Sequence, residues 1–287
     1  MQIASSGRGA LRVRGHALPW GAQTYIMGIV NASPDSFSGD GVCEAGSAAA
    51  HAVEQREAGA DILDFGAEST RPGHRPISIE AEIARLVPAI AQLRVLDSDV
   101  IVSVDTYKPE VYRRAHAVGG DILNSVWGAG PALIDVAVQT GSPIVAMHNA
   151  PVPVYDGDVV DEVLRFLLDA ATRAVSAGIP AEHVIVDPGI GFGKTAEHNL
   201  RILSRLDRLV GLGFPTLLGT SRKSTLGKLT GRRVDEREFG TAATVALAAN
   251  AGIDIVRVHD VREQADVVRV SDAVARGWRP PGWNAVG

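Results

Sequence analysis

The stretch AGADILD, residues 58–64, returns with small changes as VGGDILN at 118–124 and AGIDIVR at 251–257. The glycine of each copy suits the left-handed backbone that ends a helix, and the apolar pair after the aspartate predicts a short buried strand. Each copy closes with a different polar residue where the predicted strand leaves the core: Asp64, Asn124 and Arg257. The repeat therefore predicts a chain in which helices and buried strands alternate.

Other apolar runs of the same kind bring the predicted strands to eight, at 25–30, 61–65, 100–104, 121–123, 143–147, 183–186, 215–219 and 254–258. Helical patterns fall between them at about 44–58, 78–96, 108–117, 132–140, 158–177, 196–210, 238–251 and 261–276. Continuous apolar runs are typical of strands covered on both faces, and strict alternation with helices predicts a parallel sheet.

Eight such units in 287 residues predict one α/β domain, a (β/α)8 TIM-type barrel, with an open doubly wound sheet as the alternative. The barrel is favoured because the strand ends carry reactive or hydrogen-bonding residues, which a barrel gathers at one mouth and an open sheet spreads along an edge. The start of the chain, with ALRVRGHALP at 10–19, predicts a short hairpin that caps one end. We therefore expect a hairpin segment at 1–24 and the barrel at 25–287.

The composition excludes several classes of protein. The net charge is -5 and the basic residues are scattered, which argues against a nucleic-acid partner. No apolar run approaches the roughly 18 residues that a membrane span needs, so no membrane partner is expected. Cys43 is the only cysteine, which rules out an intrachain disulfide and suits the reducing cytoplasm.

Polar residues at the predicted strand ends form the candidate site. Any one of them has a simpler explanation as a helix cap or turn residue, and for His148 a packed core position is favoured. The whole set is hard to explain as caps: Asn31, Asp64, Asp105, Asn124, His148, Asp187, Ser221 with Arg222 and Lys223, Arg257 and His259. It predicts one pocket with two poles, carboxylates and amides for a nitrogenous ring and late-chain cations for phosphate.

The long loops at 31–41 and 66–74 follow the first two predicted strands and are expected to serve the site. DPGIGFGKT at 187–195 does not have the spacing of a phosphate-binding loop, so its glycines are expected to let backbone and Phe192 approach a ligand. The histidines show no metal-binding spacing. A magnesium ion shared between Asn31 and a diphosphate stays open, because Mg²⁺ needs few protein ligands.

Six segments in order, MGIVNASPDSFSGDG, GAESTRPG, VSVDT, VDPGIGFGK, GTSRKS and VRVHDV, resemble the signature segments of the dihydropteroate synthase family, over about residues 25–260. The resemblance implies an enzyme, a transferase of folate biosynthesis. Such an enzyme joins 4-aminobenzoate to a dihydropterin methyl diphosphate and releases pyrophosphate. It also implies Mg²⁺, a homodimer formed through helices near the end of the chain, and a site that sulfonamides also occupy.

The same resemblance assigns roles residue by residue. It implies a pterin site of Asp105, Asn124, Asp187 and Lys223, and a diphosphate site of Arg257, His259 and the magnesium ligand Asn31. The aminobenzoate site is implied to comprise Phe37, Thr70, Arg71, Pro72, Phe192 and Ser221. Asp105, Asp187 and Lys223 are the expected catalytic residues, since two carboxylates in a dry pocket would stabilise a pterin cation.

Two departures from the family pattern stand out. Ser125, followed by an unusual Trp127, lies where the family usually has aspartate after the asparagine, and the first loop reads Ser-Gly-Asp-Gly at 38–41 where the family usually has Ser-Asp-Gly-Gly. Two other functions stay open. One is a pterin-dependent methyltransferase acting on a corrinoid protein, which needs no diphosphate site. The other is a catalytically idle paralogue that binds pterin as a partner or regulator.

Overall fold

The structure is a computed structural model, which describes residues 8–32, 41–68, 76–280 and 282–283. The strands are β1 Ala10–Val13, β2 His16–Pro19, β3 Tyr25–Asn31, β4 Ile62–Gly66, β5 Ile101–Asp105, β6 Ile122–Ser125, β7 Ile144–Met147, β8 Val184–Asp187, β9 Leu217–Leu218 and β10 Ile255–Val258. The helices are α1 Gly41–Glu57, α2 Ile79–Leu96, α3 Pro109–Ala117, α4 Pro131–Thr140, α5 Val159–Ser176, α6 Ala196–Leu203, α7 Leu206–Val210, α8 Ser224–Thr230, α9 Glu238–Ala251 and α10 Val261–Ala275.

The eight strands β3 to β10 form one parallel sheet in the order β8-β7-β6-β5-β4-β3-β10-β9. A parallel bridge between Val186 and Thr216 joins the two outer strands of that order, so the sheet closes on itself. Helices follow the strands along the chain and cover the outside. The predicted (β/α)8 barrel is confirmed, and the open sheet is excluded.

The repeat that begins with AGADILD has a physical explanation in the fold. Its glycines at 59, 119 and 252 have φ of +112°, +111° and +92°, the left-handed backbone that ends a helix before a strand begins. Each repeated aspartate then accepts a hydrogen bond from a main-chain N–H at the start of the adjacent strand: Asp61 from Ile26, Asp121 from Val102 and Asp254 from Thr216, at 2.8 to 2.9 Å. The motif thus ties each new strand to its neighbour.

The hairpin of β1 and β2 closes the end of the barrel at which the strands begin. Leu11 and Trp20 are buried in one apolar cluster with side chains from early positions of all eight strands: Tyr25, Met27, Ile62, Ile101, Ile122, Val145, Ile185, Leu217 and Ile255. The indole Nε1 of Trp20 donates to the carbonyl of Glu182 at 2.9 Å, which satisfies its polar atom. The hairpin is therefore a plug, as expected, while the exact division at residue 24 stays a prediction.

One helix prediction is wrong, and one helix was not predicted. The helix expected at 196–210 is two helices, α6 and α7, because the Ser204 hydroxyl donates to the Arg201 carbonyl and Arg205 has a non-helical backbone with φ −131° and ψ 35°. The sequence reading also missed α8, which directly follows Lys223 and ends at Gly231 in the left-handed conformation. At seven residues, α8 is too short to show a helical period.

Within the described ranges of the chain, the structure contains no helix that is both long and apolar enough to cross a membrane.

Candidate active site

The polar site lies directly above the apolar plug because side chains two residues apart on a strand face the same side. Residues that begin the strands fill the closed end, and the residues two or four positions later line the interior nearer the mouth. Ile62 is thus followed by Asp64, Ile122 by Asn124 and Ile255 by Arg257. The same alternation gives Asp105 after Ile101 and Asp187 after Ile185, so five predicted strand-end residues share one lining.

Arg257 lies at the centre of this lining. Its Nε donates to Asp64 Oδ2 at 2.6 Å and its Nη2 donates to Asp105 Oδ2 at 2.9 Å. Asn124 Nδ2 also donates to both carboxylate oxygens of Asp64, at 3.2 and 3.1 Å. The prediction of two separate poles is therefore wrong. An arginine is long enough to cross the interior from β10 to β4 and β5, and buried carboxylates are costly unless a cation pairs with them.

Asp64 is the site residue whose role was missed at the sequence level. It ends the first copy of the repeat and is one of the predicted strand-end residues, yet only Asn124 and Arg257 from the corresponding positions were given a binding role. The Asp64 side chain is fully buried, and its contacts hold both of those residues. The signal was available, because the three residues close the same repeat and must lie at the same level of the barrel.

The two other carboxylates, Asp105 and Asp187, are buried away from solvent. Burial raises the pKa of Asp105 to about 7, although the Arg257 guanidinium acts to lower it. Burial also raises the pKa of Asp187 to about 6, although the N–H of Gly189, which donates to Asp187 Oδ1 at 2.7 Å, acts to lower it. Asp105 Oδ1 is buried and accepts no hydrogen bond from any residue that the structure describes. An unpaired buried acceptor of this kind suits a ligand with N–H donors.

Lys223 connects the carboxylates to the aromatic side of the site. Its Nζ lies 4.0 Å from the centre of the Phe192 ring, within the range of a cation–π interaction. Its charge is also close enough to act to lower the pKa values of both Asp105 and Asp187, against the larger effect of burial. Gly191 has φ of +83°, and a Cβ there would lie 3.1 Å from Lys223 Cδ, so the loop passes close over the lysine stem.

Ser221 and His259 lie together at the ends of β9 and β10. His259 Nδ1 is 2.9 Å from Ser221 Oγ, and the His259 main-chain N–H donates to the same hydroxyl at 3.2 Å. Arg222, which follows Ser221, pairs with Asp260 through Nε at 3.1 Å. His259, predicted for the diphosphate, therefore lies beside Ser221, and the charge of the neighbouring Arg222 is paired with a carboxylate.

Comparisons with known proteins agree with this geometry. A family model described as pterin binding enzyme matches residues 27–259. A dihydropteroate synthase of Bacillus subtilis is 42% identical over 261 residues, which cover 90% of this chain and 91% of that protein. This chain belongs to the dihydropteroate synthase family. It is therefore an enzyme of the transferase class.

Solved structures of the family have the same fold. A Xanthomonas albilineans dihydropteroate synthase with 4-aminobenzoic acid is 41% identical, has a TM-score of 0.87, and matches 94% of this chain and 100% of its own. The same enzyme in complex with 7,8-dihydropteroate is 40% identical with a TM-score of 0.83, over 93% of this chain and 98% of its own. The resemblance on six short segments thus extends over nearly the whole chain.

His148, at the end of β7, is a packed residue, as favoured from the sequence. It is buried against the rings of Phe166 and Tyr155, with ring centres 4.9 and 6.1 Å away. Burial lowers its pKa to about 4, so its imidazole is neutral at neutral pH. Its Nδ1 accepts a hydrogen bond from Lys194 Nζ at 2.8 Å, a contact that the sequence did not reveal.

One departure from the family pattern has a structural explanation. Ser125 follows Asn124 on β6 and therefore faces away from the barrel interior, where its hydroxyl donates to the Gly128 carbonyl at 2.6 Å. This residue closes a turn behind the site and does not line it. Trp127, in the same turn, has 45% of its surface exposed.

Of the remaining predicted site residues, the structure describes one and not the others. Asn31 is exposed at the end of β3, beside Gly66 of β4. Phe37, Thr70, Arg71 and Pro72, and the Gly39–Asp40 order in the first loop, lie outside the described residues.

Proposed function

We propose that this member of the dihydropteroate synthase family joins 4-aminobenzoate to (7,8-dihydropterin-6-yl)methyl diphosphate, giving 7,8-dihydropteroate and pyrophosphate. The observation that carries the proposal is the shared lining of Asp105, Asn124, Asp187 and Arg257 at the mouth of the barrel. The similar Xanthomonas albilineans enzyme has been solved with 4-aminobenzoic acid and with 7,8-dihydropteroate, which supports one substrate and the product of the proposed reaction.

The pterin ring binds to Asp105, Asn124, Asp187 and Lys223. An aminopterin edge presents an amino group and ring N–H donors, and Asp105 Oδ1 is a buried acceptor without a partner among the described residues. Hydrogen bonds from the pterin to the ionised carboxylates favour their charged forms, against the burial that raises their pKa values. Binding of the ring thus offsets the cost of burying these charges.

Bond cleavage comes before bond formation in the proposed reaction. The C–O bond between the pterin methylene and the diphosphate breaks, and its electron pair leaves with the diphosphate oxygen. The resulting pterin cation is stabilised by Asp105 and Asp187, because charge interactions are strong in a site that excludes water. These carboxylates are fixed before substrate arrives, so they need little reorganisation.

Arg257 and His259 stabilise the leaving diphosphate. A guanidinium has five N–H donors, and the ion pairs with Asp64 and Asp105 engage those on Nε and Nη2. One arginine can therefore contact the carboxylates and a phosphate together. Such an arrangement couples departure of the diphosphate to the carboxylates that stabilise the cation left behind.

The amine of 4-aminobenzoate then attacks the methylene carbon and loses a proton. It is already nucleophilic, so the protein has only to place it. Phe192 and Ser221 form the described part of this site, and Phe37, Thr70, Arg71 and Pro72 complete it in the proposal. Lys223 contacts Phe192 and so lies between the two substrates.

The proposed cofactor is Mg²⁺. The described part of the chain holds no group of three or more His, Cys, Asp or Glu side chains that could form a metal site on their own. The exposed Asn31 carboxamide fits the other arrangement, in which one protein oxygen and substrate phosphates share a hydrated Mg²⁺. When bound, the ion would neutralise charge on the diphosphate.

Pyrophosphate release is the experiment that tests the function. We expect release only when both substrates are present, with formation of dihydropteroate and inhibition by a sulfonamide. Methyl transfer to a corrinoid protein without pyrophosphate would identify the methyltransferase instead. Tight pterin binding without turnover would identify the idle paralogue. Either result would refute the proposal.

We further propose a homodimer and a cytoplasmic location. Large apolar side chains are exposed on α8, α9 and α10: Leu229, Phe239, Leu247, Val270 and Val274. Exposed apolar groups of this size mark protein interfaces, and these helices lie near the end of the chain, as the family expectation requires. Light scattering should give twice the chain mass, and Phe239→Glu should shift it toward the monomer. A monomeric wild-type protein would refute the dimer.

A further inference from the structure

Lys194 is a partly buried lysine that the proposed reaction does not use. Its Nζ donates to His148 Nδ1 at 2.8 Å and to the main-chain carbonyls of Gly189 and Phe192 at 3.0 Å each. The carbonyl of His148 lies 3.4 Å away and is a fourth acceptor. The ammonium group therefore connects the end of β7 to the loop that follows β8, and it holds both ends of the segment that carries Phe192.

The loop after β8 is pressed against the chain that follows β7. A Cβ on Gly189 would lie 1.9 Å from the carbonyl oxygen of His148, and one on Gly193 would lie 2.2 Å from that of Ala150. Both glycines also have positive φ, +67° and +57°. Backbone this close brings the His148 carbonyl near those of Gly189 and Phe192, and Lys194 Nζ lies within hydrogen-bond distance of all three oxygens.

The pKa values of Lys194 and His148 agree with a hydrogen bond from the lysine to the histidine ring. Burial lowers the pKa of His148 to about 4, so the neutral ring can accept at Nδ1. Burial also lowers the pKa of Lys194 to about 7, although the Asp187 carboxylate acts to raise it. A desolvated ammonium is costly, and several carbonyl acceptors around it reduce that cost. A lysine in this position contributes donors that a shorter or apolar side chain cannot supply.

We propose that Lys194 is a positioning residue for the aminobenzoate site. By holding the carbonyls of Gly189 and Phe192, it fixes the Phe192 ring against Lys223 and so keeps that wall of the site in place. The inference rests on the proposed function, which assigns Phe192 to the aminobenzoate site. Lys194 itself touches neither substrate in this proposal. It acts through Phe192, and its ammonium donates to none of the side chains proposed to hold the pterin.

A double-mutant cycle tests this coupling. Lys194→Met, Phe192→Ala and the double variant are compared with wild type for two constants, the aminobenzoate KM and the dissociation constant of the pterin diphosphate. Lys194→Met should raise the aminobenzoate KM roughly tenfold, since small displacements of positioning groups have effects of this size. The dissociation constant of the pterin diphosphate should change by less than about threefold, because its main contacts remain.

In the Phe192→Ala background, Lys194→Met should raise the aminobenzoate KM by less than about a further twofold, since the side chain through which it acts is gone. Lys228→Met is the matched control, because Lys228 is exposed on α8 and its substitution should leave both constants unchanged. If Lys194→Met does not fold, Lys194→Gln takes its place in the cycle with the same thresholds.

Three outcomes would overturn the inference. A folded Lys194 variant with an unchanged KM would do so, as would equal effects on both substrates, or a full effect of the Lys194 substitution in the Phe192→Ala background. If Phe192→Ala raises the KM but the Lys194 variant does not, only the positioning role fails. If Phe192→Ala itself leaves the KM unchanged, the assignment of Phe192 fails too, and wild-type pyrophosphate release shows whether the reaction still stands.

Discussion

Replacement of Arg257 by methionine should separate the structural from the catalytic importance of the buried charge cluster. Methionine keeps much of the apolar stem and removes every donor of the guanidinium. Asp64 then loses its contact at 2.6 Å and Asp105 loses one at 2.9 Å. Both carboxylates remain buried, so the change leaves negative charge in the interior without its cation.

Removing one member of a buried ion pair costs about 3 to 5 kcal/mol, because the other charge stays desolvated. At roughly 2 to 4 °C per kcal/mol for a chain near this size, Arg257→Met should lower the Tm by about 6 to 20 °C. Adding Asp64→Asn removes one of the stranded charges. The double variant should therefore regain at least about half of the lost free energy of unfolding, while its turnover stays low because the diphosphate contact is still missing.

Urea denaturation and pyrophosphate release, both at the same pH, measure the two effects. Arg269→Met is the control, because Arg269 pairs with Asp266 at 3.2 Å on the surface, with side chains 55% and 80% exposed. Its substitution should change stability by less than about 0.5 kcal/mol. A double variant no more stable than Arg257→Met, or an Arg257→Met protein as stable as the control, would refute the reasoning.

Four further predictions concern other parts of the molecule. Below the pKa values of about 7 for Asp105 and 6 for Asp187, the folded protein holds protons that the unfolded chain releases near pH 4. The free energy of unfolding without ligand should thus fall as the pH rises from 4 to 7, and Asp105→Asn should flatten that fall in urea titrations. Lys223→Ala should lower pyrophosphate release at least about 100-fold with little change in Tm, and near-normal rates would remove it from the mechanism. Trp20→Ala should cost about 3 to 5 kcal/mol in urea, since the indole fills the closed end of the barrel; a loss below about 1 kcal/mol would contradict the plug. Ser125→Ala should cost about 1 kcal/mol and leave the aminobenzoate KM unchanged, and a raised KM would mean that this residue reaches the site.

The fold could be predicted from the sequence because its rules are local. A glycine that ends a helix and an apolar pair that forms a strand recur at intervals, and each of these two signals depends on only a few neighbouring residues. The aspartate between them recurs as well, although its hydrogen bond reaches a neighbouring strand. The same regularity located the interior residues Asp105, Asn124 and Asp187, since strand ends of a barrel converge. Where the local signal was short, as in the seven residues of α8, the prediction failed.

The pairing within the site could not be predicted in the same way. Asp64 and Arg257 are 193 positions apart, and their contact depends on which strands lie within reach of an arginine across the interior. The charges alone predicted that acidic and basic side chains lie on opposite sides of the pocket. Burial instead favours acidic and basic side chains in contact, because each buried carboxylate is stabilised by a nearby cation. Lys194 shows the same limit. Its place in DPGIGFGKT, a loop expected to approach a ligand, did not reveal that its donors face the His148 ring and the carbonyls of its own loop.

Without a ligand, the charged side chains of the site are destabilised by their burial. Burial works against the charged forms of Asp105, Asp187 and Lys194 alike, and all three have pKa values displaced toward neutrality. Raised acid pKa values remove stability as the pH rises toward 7, and a lowered lysine pKa restores it only above 7, so these groups make the ligand-free protein least stable near neutral pH. A cationic transition state beside Asp105 and Asp187 stabilises the charged forms of these two carboxylates and relieves their share of the cost. The free energy lost in burying these two carboxylates is therefore regained where the reaction needs it, and pterin binding should stabilise the protein more at pH 7 than at pH 5.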